Sequence, residues 1–210
     1  MIVKRSKPDA APAEAPRPRT KPAEVRLEEL MAAAEQLFLS QGVEATTISE
    51  IVGKADVAKG TFYHYFASKA ELLTALGERY TAQFLERVES AVNACAEDDW
   101  VGRLASWIGS SVETYLATYR VHDIVYTHHH HHDRGNPEKG AILQQLAAIL
   151  EGGRQAGCWT LEYPQVAASL IYAGVHGATD DLIAARPKDS REQVRAIVEA
   201  CLRMLGRPTP

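Results

Sequence analysis

Cysteine is scarce in this chain. The three residues present, Cys95, Cys158 and Cys201, are odd in number, far apart and without metal-ligand spacing. That excludes a disulfide framework and a cysteine-built metal site, and points to reduced thiols in a cytoplasmic protein. Long apolar runs are missing too: none approaches the ~20 residues needed to cross a bilayer. A membrane partner is therefore not expected. The basic start of the chain, residues 1–21, is broken by Pro8, Pro12, Pro16 and Pro18, and no apolar stretch follows its charges. It lacks the pattern of a secretion signal. No segment alternates as a strand does, and no repeat recurs at a fixed period, which excludes sheet architectures and helical solenoids.

What remains is a chain of 210 residues, 46% hydrophobic and 24% charged, with 23 Lys and Arg against 27 Asp and Glu for a net charge of −4. This composition suits one or two globular domains able to bury a core. Net acidity does not exclude nucleic acid as a partner, since one basic face on an acidic body suffices.

Residues 1–23 read as a disordered, basic, proline-rich arm. From Val25, apolar residues recur three and four apart until Gly42, predicting an amphipathic helix with a glycine stop. Thr47 and Glu50 form a Thr-x-x-Glu capping box that opens a short helix ending near Ala55. A third helix is predicted over Ala58 to Tyr65. A long fourth begins at Ser68, where Glu71 completes a second box, and carries Leu72, Leu73, Leu76, Tyr80 and Phe84.

Further helices are predicted from Trp100 to Tyr119, from Val121 to Thr127, and from about Ile142 to Gly152, Gly153 or Gly157. Two more run from Pro164 to Ala185 and from Ser190 to Leu205. The fold class is all-α, with about nine helices.

Two short helices joined through Asp56 and Val57, followed by a long capped helix, make a helix-turn-helix whose second member lies in the major groove. Lys59, Gly60, Thr61, Tyr63 and His64 suit phosphate and base contact, whereas Phe62 and Phe66, four apart, turn inward. Thr47 and Ser68 stand at helix starts, where backbone N–H groups attract phosphate, and Lys69 lies beside the second. From Ala45 to Ala70 the charge is only +1, three Lys against Glu50 and Asp56.

At the stretch from Ala45 to Val52, the Lys59 to Phe66 run and the stretch from Ser68 to Leu73, the sequence resembles the TetR family of bacterial transcriptional regulators. The close match covers Glu24 to Glu86. The resemblance implies a three-helix DNA head over 24–84 and a ligand-binding and dimerisation body over 85–210. It also implies a homodimer that binds a palindromic double-stranded DNA operator as a repressor and releases it on binding a small-molecule effector. Lys59, Gly60, Thr61, Tyr63 and His64 then fall on the recognition helix, with Thr47 and Lys69 at phosphates. Ala58 departs from the serine that family members often have there to cap the recognition helix.

In the body, Trp107, Tyr115, Tyr119, Tyr126 and Tyr172, with His122 and His176 as polar groups, form candidate walls of an apolar ligand cavity. Trp100, Trp159 and Tyr163 belong to the same aromatic set. The stripe of the final helix and the series Ala167, Ala168, Gly174, Gly177 and Ala178 let helices approach closely, and two such helices per chain suit a dimer face.

The run His128 to His132 is a recognised metal-binding composition. If the helix before it continues, His122, His129 and Asp133 share a face and could hold zinc or nickel, which makes a metal-responsive regulator the alternative. No cofactor is otherwise required. A metal-dependent hydrolase is the remote alternative, because no His-Glu-x-x-His arrangement supplies a fixed metal shell and base.

Overall fold

Leu30, Ala34 and Phe38 repeat every four residues along α1 (Ala23–Gln41) and bury one side of it. The computed structural model describes residues 22–126 and 137–206. Gly42, at φ 86°, ends α1 in a conformation that costs a residue without Cβ little. Next come the short α2 (Ile48–Lys54) and α3 (Lys59–Tyr65), followed by the long α4 (Lys69–Asn93). Between α2 and α3, Asp56 adopts φ 53°, a left-handed turn that aspartate tolerates.

The predicted break near Tyr119 is absent: α5 runs unbroken from Trp100 to Tyr126. Arg120, the residue between the two predicted helices, neither lacks a backbone N–H nor frees the backbone, so nothing stops propagation. The described residues hold eight helices, not nine, the last three being α6 (Pro137–Gln155), α7 (Pro164–Ala185) and α8 (Arg191–Met204). No strand occurs among the described residues.

Helix α6 continues through Gly152 and Gly153 because those positions are where two indoles press on it. A Cβ at Gly152 would collide with the Trp100 ring, and one at Gly153 with the Trp159 ring. It ends before Gly157, at φ 72°.

Two cores organise the described residues. The first joins Leu30, Phe38, Ile51, Phe62, Leu72 and Leu76 with Val125 from the far end of α5. The second joins Val88 and Val92 of α4 to Leu104, Trp107 and Ile108 of α5, and to buried residues of α6, α7 and α8. Thus α4 and α5 run antiparallel along one another and each enters both cores. Each fully buried leucine or phenylalanine contributes about 1.5–3 kcal/mol. Polar ties reinforce the joint: Arg79 of α4 bonds Glu28 and Glu35 of α1 at 3.1 and 2.5 Å, and Arg120 of α5 donates to the Leu39 carbonyl at 3.2 Å.

Candidate functional site

The first candidate surface is the outer side of α3. Phe62 is 0% exposed and Phe66 caps the helix with its ring turned into the same core. That orientation leaves Lys59, Gly60, Tyr63 and His64 on the opposite, exposed side, with Thr61 half-buried at its edge. The Tyr63 ring, 52% exposed, stands edge-on to Phe62 at 5.4 Å. A Cβ at Gly60 would meet no atom of the chain within 4 Å, so nothing inside the protein demands a glycine there. Tyr65 instead donates its hydroxyl to the Ala23 carbonyl at 2.9 Å and ties the end of α3 to the start of α1.

The helix starts follow the capping chemistry in the sequence. The Thr47 hydroxyl accepts from the Glu50 N–H at 3.2 Å, and the Glu50 carboxylate accepts from the Thr47 N–H at 2.8 Å. That backbone bond, followed by the Thr47 hydroxyl and Gln41, holds the Glu50 carboxyl below its ordinary pKa. At α4 the Ser68 hydroxyl accepts from Glu71, but the Glu71 carboxylate accepts from the N–H of Ala67 at 2.6 Å, one residue before the cap. Ala58 caps α3 with no side-chain bond.

Lys69 differs from its expected use. Its ammonium donates to the carbonyls of Val43, Thr46 and Glu44 at 2.5, 2.9 and 3.4 Å, closing the loop between α1 and α2 rather than projecting outward.

The second candidate site is a cavity of about 790 Å³, counted out to its open mouth. Helix α4 contributes Tyr80, Thr81 and Phe84; α5 contributes Trp107, Ser111, Tyr115, His122 and Tyr126. Across from them stand Glu138, Lys139 and Ile142 of α6, and Tyr172, Val175, His176 and Thr179 of α7. Six of the seven predicted wall residues meet here. The exception is Tyr119, which lies in a separate groove with Leu116, Arg120 and Arg186. Helical spacing alone would put Tyr119 on the side shared by Tyr115, His122 and Tyr126, four, three and seven residues away, so its departure is set by the packing around α5. Of the other aromatics, Trp159 is core, donating to the Leu150 carbonyl at 2.7 Å, Tyr163 is exposed, and Trp100 stacks with Arg103.

Polar groups in the cavity are mutually held. The Tyr115 hydroxyl donates to Asp180 at 2.7 Å, and the other Asp180 oxygen lies 3.2 Å from His176 Nδ1. His122 Nδ1 lies 3.2 Å from Asp123. Tyr126 bonds the Thr81 hydroxyl and donates to the Gly77 carbonyl, while Tyr80 pairs with Thr118. Burial, then the hydrogen bond to Asp180, pushes the Tyr115 pKa far up. Burial pushes Tyr126 up to about 12 against the opposing Thr81 bond, with Glu138 adding to the rise. Tyr80 and Tyr172 are raised as well, again chiefly by burial. All four phenols are neutral at physiological pH.

Sequence reasoning missed Thr81, Ser111, Glu138, Lys139 and Thr179, polar residues on otherwise apolar stripes. It assigned Tyr80 and Phe84 to the apolar stripe of α4 without linking them to the cavity. Among the described residues no three His, Cys, Asp or Glu side chains gather in a way that could hold a metal ion. Of the expected metal set, His122 is a cavity residue, and His129 and Asp133 lie outside the described residues, as does most of the amino-terminal arm.

An exposed basic and aromatic face on the second helix of a helix-turn-helix, carried by a helical body, defines a DNA-binding transcriptional regulator. The family described as bacterial regulatory proteins, tetR family, matches residues 30–76. The HTH-type transcriptional repressor NemR of Escherichia coli is 29% identical over 161 residues, which span 70% of this chain and 78% of NemR. The HTH-type regulator YvdT of Bacillus subtilis is 35% identical over 100 residues, 48% of this chain and 49% of its own.

Among solved structures, a Rhodococcus protein of unknown function superposes with a TM-score of 0.75 at 21% identity, covering 87% of this chain and 96% of that one. FadR of Bacillus subtilis in complex with stearoyl-CoA has a TM-score of 0.63 at 22% identity, covering 85% and 96%. Residues 30–76 thus carry the DNA-binding segment of the tetR family, and the body shares its fold with the solved structures. The comparisons support a DNA-binding transcriptional regulator. Among the described residues no helix is long and apolar enough to cross a membrane.

Proposed function

We propose that the protein is a repressor that binds a palindromic operator as a homodimer in the cytoplasm and releases it when a small molecule fills the cavity. Residues 24–84 form the DNA-binding unit and 85–210 the ligand-binding and dimerisation unit. Lys59, Gly60, Thr61, Tyr63 and His64 contact DNA, and Thr47 meets a phosphate at the start of α2. Lys69 meets one through its backbone at the start of α4, its ammonium being used on the loop.

The observation that carries the release mechanism is the double duty of α4 and α5. Tyr80, Thr81 and Phe84 face the cavity one to three turns beyond Leu72, Leu73 and Leu76 in the head core. Likewise His122 and Tyr126 line the cavity while Val125 sits in the head core. A ligand that spreads these two helices shifts the heads, and a dimer whose heads no longer match the half-site spacing loses both contacts together. That NemR is named a repressor supports the sign of regulation.

The dimer face is the outer side of α7, where Tyr163, Val166 and Leu170 are exposed, the last two at 56% and 58%, ahead of Gly174 and Gly177; Ala167 and Ala168, expected on this face, are instead buried in the body core. Such a stripe on a soluble helix suits a second copy.

Filling the cavity by substitution tests release without knowing the effector. Ile142→Trp should weaken operator binding while the head keeps its unfolding midpoint. Undiminished operator binding by a correctly folded Ile142→Trp protein would count against release through this cavity.

A further inference from the structure

The chemistry of the cavity narrows what it takes, an inference that rests on reading it as the effector site. Its walls are rings: the imidazoles of His122 and His176 stand 5.4 Å apart, with Tyr115 4.6 and 4.9 Å from them. Tyr126 and Tyr172 close the ring set at 5.0 Å from His122 and 6.0 Å from His176. Phenol faces carry the negative side of a quadrupole and attract cations. The chain already uses one this way, since the Lys139 ammonium lies over the Tyr172 ring at 5.7 Å.

One carboxylate, Glu138, lines the same space, and two more bond its wall residues from behind. Asp180 holds Tyr115 and His176, Asp123 pairs with His122, and Glu138 is part of the lining. Lys139 and the Arg87 guanidinium, which acts on Tyr80, are the cations set against these three. Glu138 and Lys139 offset one another in the lining, so the negative excess comes from Asp180 and Asp123 behind the walls, and these carboxylates help to keep the phenols protonated.

An independent observation points to a ligand atom. Hydroxyls on helices usually bond the carbonyl four residues back, as Thr118 does to Thr114 and Thr179 to Val175, both at 2.7 Å. Ser111 does not. It lines the cavity, is 4% exposed, and its oxygen is sealed from solvent with no hydrogen-bond partner. Buried hydroxyls are rarely left so, because an unmade bond is costly. Ser111 precedes Tyr115 by one turn, ~6 Å along the helix.

We propose that the cavity binds a hydroxylated arylalkylammonium. Its ring lies between the tyrosine and imidazole walls, its ammonium sits at the Asp180 end, and its hydroxyl bonds Ser111.

Calorimetric titration of the full chain with three probes of one shape tests this. They are tyramine, phenethylamine, which lacks the hydroxyl, and 3-(4-hydroxyphenyl)propanoate, which replaces the ammonium with a carboxylate. Tyramine should bind about tenfold more tightly than the acid. Phenethylamine should bind several-fold more weakly than tyramine to the wild type and equally to Ser111→Ala. Asp180→Asn, which keeps the hydrogen-bonding shape, should reduce the preference for ammonium over carboxylate.

Equal or tighter binding of the acid overturns the proposal. So does a hydroxyl preference that survives Ser111→Ala, or the absence of binding by all three probes. Tyramine binding with no loss of operator affinity would leave the ligand class standing and refute effector release. Release by Ile142→Trp with no probe binding would do the reverse.

Discussion

Phe62 and Tyr63 are neighbours on α3 with opposite surroundings, and replacing each by alanine separates folding from DNA binding. Phe62 is 0% exposed and packs with Leu30, Phe38 and Leu72, so its truncation leaves a cavity in the head core. Losses of about 3–5 kcal/mol are usual for such a change, enough to unfold a small head at ordinary temperature. Tyr63 is 52% exposed and rests on Phe62 only through an edge contact at 5.4 Å. Its truncation should change stability by no more than about 1 kcal/mol, the surface-substitution range plus one weak aromatic contact. If each Tyr63 contributes about 1–1.5 kcal/mol to DNA contact, a dimer loses twice that, or ~30- to 150-fold in affinity. Urea denaturation followed by circular dichroism reads the first quantity, and fluorescence anisotropy with a labelled operator reads the second. The reasoning fails if Tyr63→Ala unfolds as readily as Phe62→Ala, or if it stays folded and binds operator at wild-type strength.

Other outcomes follow from single contacts. Lys69→Ala removes charge-assisted bonds to three carbonyls and should destabilise the head by about 1.5–3 kcal/mol, measurable as a lower urea midpoint. Thr47→Ala breaks the capping box and should cost ~1 kcal/mol in the same assay. Because the folded state holds Glu50 below its ordinary pKa, its carboxylate stabilises fully above the unfolded value, and that contribution is lost as pH falls through the folded value. Glu50→Gln should therefore flatten the acid limb of a stability–pH curve, and an unchanged slope would contradict the box. Leu170→Glu should yield a folded monomer by light scattering, and a dimer that survives it would move the interface elsewhere.

The head was legible in the sequence because its signals are local. The capping box at Thr47, the glycine after α1 and the inward pair Phe62 and Phe66 each act within a few residues, and the structure bears all three out. The use of Lys69 was not legible, since it depends on carbonyls more than twenty residues earlier that face it only after α4 docks. In the body, helical spacing fixed which side of each helix is apolar but not which apolar sides leave a gap. Six of the seven expected wall residues meet at the cavity, yet Tyr119 and Tyr115, four apart, diverge, and no pattern within α5 distinguishes them. By helical spacing Ser111 is one more small residue on the buried side of α5. Its missing bond is a property of three dimensions.

In the proposed repressor, α3 and its symmetry mate read a specific duplex. Selection from a library of random double-stranded DNA, with non-specific competitor and a chelator present, tests it most directly. The wild type should enrich a palindrome whose half-sites lie one helical turn or a multiple apart, and Tyr63→Ala should lose that enrichment. Failure to enrich any sequence, or equal enrichment by Tyr63→Ala, would contradict it.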